Sequence, residues 1–233
     1  MSLCIQSFLG PHTGNLNQRV LDVFTELGFA VELPPGTVLT QSPPLGILYL
    51  KIKATPPAVL RLEPATDLLM GFGYSVWPAD PGDKKQRARL GVRGPCTYQA
   101  SSRTDAGRSP ATASMQELMM AVLAKVTGGD CLLDGDDRCV SGDVALEKAK
   151  AGLMHFGKFN FDAYARRFDS WPPAREGEPF TWPAEILPPP IPQAVPVPEK
   201  KRFSLLRGYK LSWLELPGLL LVLFFLVVTL IYS

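Results

Sequence analysis

One stretch constrains this chain more than any other: residues 211–232 read LSWLELPGLLLVLFFLVVTLIY and carry a single charge, Glu215. Wound as an α-helix at about 1.5 Å per residue, they extend about 33 Å, enough to cross a hydrocarbon core of about 30 Å. From Leu216 onward the run is almost continuously apolar, whereas a helix lying on a globular core shows a polar stripe. Pro217 and Gly218 fall in the first turns, where few helical hydrogen bonds are lost. The expectation is one transmembrane helix over residues 211–233, bracketed by Trp213 and Tyr232 as interfacial anchors.

Five basic residues, Lys200, Lys201, Arg202, Arg207 and Lys210, crowd the juxtamembrane segment 200–210 on the N-terminal flank of that helix. Positive flanks stay on the cytoplasmic side. The pattern therefore predicts a single-pass tail anchor in the inner (cytoplasmic) membrane, with the preceding chain in the cytoplasm. The opening MSLCIQSFLGPHTG has no basic region ahead of its apolar residues, and Gln6 and Ser7 interrupt them, unlike a secretory signal.

Ten prolines lie between Trp171 and Pro198, among them Pro188-Pro189-Pro190 and the alternation Val195-Pro196-Val197-Pro198. Proline at that density removes backbone donors and favours polyproline II, rising about 3.1 Å per residue. Residues 171–199 are expected to be an extended spacer of up to roughly 85 Å. The string Pro189-Pro190-Ile191-Pro192 also matches the P-x-x-P ligand of SH3-type domains, a pattern common to proline-rich spacers generally.

Residues 1–170 carry the alternations of a folded domain. Strands are expected over 3–9, 29–33, 46–54, 72–77, 97–102 and 131–134, with a further strand and loop across 60–70. Asn15 or Asn17 caps a helix with Val20, Leu21, Phe24 and Leu27 on one face and Gly28 as its stop. A second helix is expected to start from a capping box of Ser114 and Glu117, with Met115, Leu118, Met119, Val122 and Val126 on its apolar face and Gly128-Gly129 beyond. A third covers 143–153, and the aromatic-rich residues 154–171 form a terminal element that docks on the domain. The order reads as α+β: a mostly antiparallel sheet with helices on one side, followed by the linker and the transmembrane helix.

Composition narrows the chemistry. The 24 Lys and Arg residues nearly cancel the 22 Asp and Glu, leaving a formal charge of +2, so no nucleic-acid partner is expected. Residues 79–96 concentrate Lys84, Lys85, Arg87, Arg89 and Arg93 but interleave no aromatics, as a solvated hairpin or loop would. Cys4, Cys96, Cys131 and Cys139 form no C-x-x-C pair, and His12 and His155 are the only histidines. Neither a zinc site nor a histidine triad assembles from these, and no metal or cofactor is expected. Reduced thiols are the expectation, with a Cys131–Cys139 bridge as the alternative. The acidic run Asp130, Asp134, Asp136, Asp137 and Asp143 breaks EF-hand spacing at Arg138 and at Ala145, and is expected to be turn.

The residues Arg103-Thr104-Asp105-Ala106-Gly107 resemble the signature of TruA-type tRNA pseudouridine synthases. The resemblance implies Asp105 as a nucleophile toward uridine, held ionised by Arg103. That family continues with an apolar residue, histidine and alanine, where Arg108-Ser109-Pro110 stands here. The same residues also serve as turn chemistry between a strand and a helix, with Arg103 or Arg108 pairing locally with Asp105. A second likeness covers more of the chain. A strand-helix-LGF-strand opening, a strand running into Ala106-Gly107-Arg108-Ser109, a methionine-rich helix and Thr127-Gly128-Gly129 before an apolar strand resemble bacterial α/β domains of toxin–immunity systems. It implies a membrane-tethered, non-catalytic protein-binding module, an immunity protein whose partner is a toxin, and marks no catalytic residue. The alternatives are an enzyme using Asp105 and Arg103, and a structural component of an envelope complex.

Overall fold

The computed structural model describes residues 2–12, 14–156, 160–173, 179 and 181–190, with 154–156 described by their backbone only. By internal contacts the chain divides into Met1–Pro189 and Pro190–Ser233. The transmembrane helix with Trp213 and Tyr232, the basic segment with Lys200, Lys201, Arg202, Arg207 and Lys210, and the spacer beyond residue 190 lie outside the described residues. Among the described residues no helix is long and apolar enough to cross a membrane.

The first unit is α+β. Its elements run β1 (Leu3–Leu9), α1 (Leu16–Glu26), β2 (Ala30–Glu32), β3 (Ile47–Ala54), β4 (Leu68–Pro78), α2 (Lys84–Arg89), β5 (Tyr98–Thr104), α3 (Pro110–Val126), β6 (Asp130–Leu132), β7 (Val140–Ser141), α4 (Gly142–Phe156) and β8 (Arg166–Arg167). The strands form one sheet in the order β2-β3-β4-β5-β1-β6-β7, with β8 paired to β4. Each of these pairings is antiparallel.

Period-two alternation divides the sheet into two faces. Leu3, Ile5, Ser7 and Leu9 of β1 align with Thr104, Ser102, Ala100 and Tyr98 of β5. With Met70, Phe72 and Tyr74 of β4 and Leu48, Leu50 and Ile52 of β3, they make a continuous buried layer. Against it lies α3, and α1 and α4 both pack on α3. That helix is covered nearly all round, Leu118 to Ala124 being fully buried, so its sequence shows little polar stripe. The buried hydroxyl of Ser7 donates to the Met120 carbonyl at 2.8 Å, tying β1 to the helix.

Four local expectations differ from the structure. The α3 cap is Ser109, whose side chain accepts from Thr112 N, with Pro110 at the first helical position; Ser114 is buried inside the helix. Proline is preorganised for a first turn and needs no donor there, so the helix starts five residues before the capping box. Residues 81–89, expected to be hairpin or loop, form a 3-10 turn and α2, whose Arg87 donates to the Asp80 carbonyl at 2.7 Å. Residues 60–67 form no strand; β4 begins at Leu68. Residues 184–186, expected to be spacer, dock on the domain: Arg167 N donates to Ala184 O at 2.9 Å, Ile186 N to Ala165 O at 3.0 Å and Tyr164 N to Ile186 O at 2.8 Å. Ile186 is buried in the core. Proline density forbids a regular ladder but leaves the residues between prolines free to make single hydrogen bonds.

The opposite face carries Ile47 and Tyr49 of β3, Leu69, Gly71 and Gly73 of β4, Ser101 and Arg103 of β5, and Cys4 and Gln6 of β1, by the registers of those strands. At one end α2 stands beside Phe8, Trp77 and Gln99, so the helices do not all lie on one side of the sheet, contrary to the expectation from sequence. At the other, β8 pairs with Leu68 and Leu69, and Tyr164, Trp182 and Glu185 stand at the same cleft as Leu69 and Gly71. Between them this face opens.

Candidate functional site

The opening is a cleft of about 600 Å³ whose lining includes Tyr49, Gly71, Gly73, Arg103, Asp105, Arg108, Tyr164, Arg166, Trp182 and Glu185. Its volume falls within the range of small-ligand and peptide-side-chain pockets. On one edge of β4 the ladder is interrupted: β5 pairs with residues 73–78 and β8 only with Leu68 and Leu69, leaving the stretch around Gly71 paired to β3 alone.

The glycines shape its floor. A Cβ on Gly71 would stand 2.8 Å from Cε1 of Tyr49, so only glycine lets that phenol lie across β4. Burial pushes the Tyr49 phenol up from its ordinary value, so it offers a neutral hydroxyl across the physiological range.

The strand carrying Arg103 is fixed from behind. Its neighbours Ser102 and Thr104 point into the core, where fully buried Gln116 of α3 accepts from the Thr104 hydroxyl at 2.8 Å and donates to Ser102 Oγ at 2.9 Å. The same amide donates to Leu3 O at 3.3 Å. Arg103, between two clamped residues, faces outward. Its guanidinium makes no hydrogen bond or salt bridge with a described residue.

Asp105 lies just past the end of β5, exposed on the same cleft. The structure thus brings the two candidate residues to one site. It does not join them: no salt bridge links Arg103 to Asp105. Arg108 turns back on the loop, its backbone N–H and Nη1 both donating to the Asp105 carbonyl, the latter at 2.9 Å. The local ionic pairing expected of this turn is replaced by a cation-to-carbonyl clasp.

The far wall comes from Tyr164, Arg166, Trp182, Pro183 and Glu185. Arg166 pairs with Glu185 at 2.5 Å and lies 5.7 Å from the ring centroid of Trp182, an arrangement that steadies an indole otherwise 72% exposed. Tyr164, 54% exposed, sits at a φ of +60°, a left-handed conformation that bulky residues rarely adopt and that stores strain. This wall is pinned by Asp162. Fully buried, its carboxylate accepts from Leu62 N at 2.7 Å and Glu63 N at 2.9 Å and lies 3.6 Å from Nε of Arg61.

Tyr49, Tyr164, Arg166, Trp182 and Glu185 were not evident from sequence as site residues. The one signal was Gly71-Phe72-Gly73, since alternate glycines in a strand mark a close approach on one face.

The acidic run does not converge. Asp130 accepts from Arg93 N at 2.8 Å, Asp134 from Cys4 N at 3.1 Å, Asp136 meets Lys148 at 2.8 Å and Asp143 meets Lys125 at 2.9 Å. Among the described residues no group of His, Cys, Asp and Glu is placed to hold a metal ion. Cys4, Cys96, Cys131 and Cys139 are free thiols.

Fold and site together define an α+β domain with a cleft on the open face of an antiparallel sheet. No protein-family model, curated protein or solved structure matches the chain.

Proposed function

We propose that this chain is a non-catalytic protein-binding module whose recognition site is the cleft, tethered at the inner membrane by residues 211–233 with its domain on the cytoplasmic side. Neutralising a toxin at that membrane is the form of binding to which the likeness with immunity domains points. The observation that supports the reading is the meeting of Arg103, Tyr164 and Trp182, all exposed, on one wall-and-floor arrangement. Trp, Tyr and Arg are the residue types that dominate binding energy at protein interfaces. A tether adds effective concentration for partners that arrive at the bilayer.

The test is site-specific photo-crosslinking from within cells that naturally express the full chain. A crosslinking amino acid replaces Trp182, and in a control Val144, which is exposed on α4. A single protein adduct from position 182 and none from 144 supports the reading. Equal adducts from both positions, or none from 182 in repeated trials, count against it.

A second reading is an enzyme in which Asp105 attacks its substrate. It is favoured by the convergence of Asp105, Arg103 and Tyr49 on the cleft and weakened by the missing Arg103–Asp105 pairing. Asp105→Ala discriminates: it abolishes function if Asp105 is the nucleophile and leaves it largely intact if the cleft only binds. A structural role in an envelope complex predicts instead self-association through residues 211–233.

A further inference from the structure

Of the three arginines among the described residues lining the cleft, Arg166 is matched by Glu185 at 2.5 Å and Arg108 is turned onto the Asp105 carbonyl at 2.9 Å. Arg103 alone is exposed without a hydrogen bond or salt bridge to a described residue. A guanidinium offers five donors in a planar fork that matches a carboxylate, and this one stands on a strand whose flanking side chains are both held by Gln116. Beside it in the sheet is Gly73, which places no side chain between Arg103 and Ile47 on the neighbouring strand. The fork is therefore presented on a rigid base with bare floor to one side.

We propose that Arg103 docks a single carboxylate side chain of a partner polypeptide, an Asp or Glu flanked by apolar residues that pack on Tyr49, Tyr164 and Trp182; the inference rests on the cleft being the recognition site. The charge balance selects this occupant. Among the described residues lining the cleft, three arginines face two carboxylates, Asp105 and Glu185. A polyphosphate or an acidic tract would bring several negative charges against Asp105, whose carboxylate has no cationic partner among the described residues, and like charges at short range disfavour one another. One carboxylate meets Arg103 alone. The aromatic rings supply apolar area at low entropic cost, and exclusion of water by that packing strengthens the ion pair beyond what an exposed pair is worth.

The experiment titrates the full-length chain in detergent micelles with three N-acetylated, C-amidated tripeptides, Leu-Glu-Leu, Leu-Gln-Leu and Leu-Lys-Leu, and with inorganic phosphate. Tryptophan emission reports binding, and Trp182→Phe identifies the part of the signal that arises at the cleft. The expected result is saturable binding of the Glu peptide, about tenfold or more weaker binding of the Gln peptide, and none of the Lys peptide. Arg103→Ala should erase the Glu preference, Arg103→Lys should retain part of it, and Arg103→Glu should turn it toward the Lys peptide.

Equal binding of Glu and Gln peptides, or a Glu preference that survives Arg103→Ala, overturns the inference while leaving the cleft as a recognition site. Saturable, Arg103-dependent binding of phosphate without binding of the Glu peptide overturns it in favour of a phosphate ligand. No Trp182-dependent signal with any probe overturns the inference together with the reading on which it rests.

Discussion

Gln116 shows how much one buried amide can organise. It bridges α3, β1 and the two residues that flank Arg103, so its removal strands polar groups in the core. Gln116→Leu is expected to cost about 1–3 kcal/mol, the penalty for orphaned buried donors and acceptors, measured by urea unfolding followed by circular dichroism. Its neighbour Glu117 behaves in the opposite sense. Burial, and then Asp134, push its carboxyl up from the ordinary value, with Arg108 opposing. With the folded pKa above the unfolded one, the favourable contribution is complete below the unfolded pKa and is lost as pH rises through the folded value. Ionising this side chain therefore works against the fold. Glu117→Gln should therefore raise Tm at pH 7, and the gain should close as pH falls to about 4, into the ordinary glutamate range; scanning calorimetry across pH reads it, and a Tm gain independent of pH would refute it.

At the scale of elements, the β6–β7 pair protects two thiols. Burial first of all pushes Cys131 up to about 12 and Cys139 to about 11, so little thiolate forms near neutrality. Iodoacetamide at pH 8 is expected to modify exposed Cys4 in the folded chain and to reach Cys131 and Cys139 only on unfolding, as peptide mass spectrometry would show. The described residues that carry the far wall, 160–173 and 181–187, are held in part by one buried carboxylate, Asp162. Removing it by Asp162→Ala leaves Arg61 and two backbone N–H groups without their partner, a loss of about 3–5 kcal/mol for a broken buried pair. Because the same segment carries Tyr164 and Trp182, limited proteolysis of this variant should cut within 160–187 ahead of the rest of the domain, and the cleft should be lost with it. Cleavage that starts instead in the loop 34–46 would show that Asp162 does not hold this wall.

For the whole molecule, the proposed tail anchor over residues 211–233 makes predictions for the behaviour in cells. Full-length chain is expected to sediment with membranes and resist carbonate extraction, a chain ending at residue 199 to stay in the supernatant, and neutralisation of Lys200, Lys201, Arg202, Arg207 and Lys210 to mix the orientations of the domain. Protease added outside intact cells that digested the domain would reverse the proposed topology. Much of the fold of the first unit could be read along the chain, because periodicity, caps and breakers are local. The strand Leu3–Leu9, the Asn15 cap of α1 and the stop of α3 before Gly128, at a φ of +62°, coincide with their sequence signals. The proposal of a bilayer span over residues 211–232 rests on the same kind of local signal, apolarity without a polar face. The tertiary structure alone decided the order of strands, and with it the site. Which edge of β4 is left uncovered depends on where β5 ends and where β8 joins, a matching of partners distant in sequence that no local propensity encodes. That gap is what brings Arg103, Tyr164 and Trp182, which are scattered along the chain, around a single cleft.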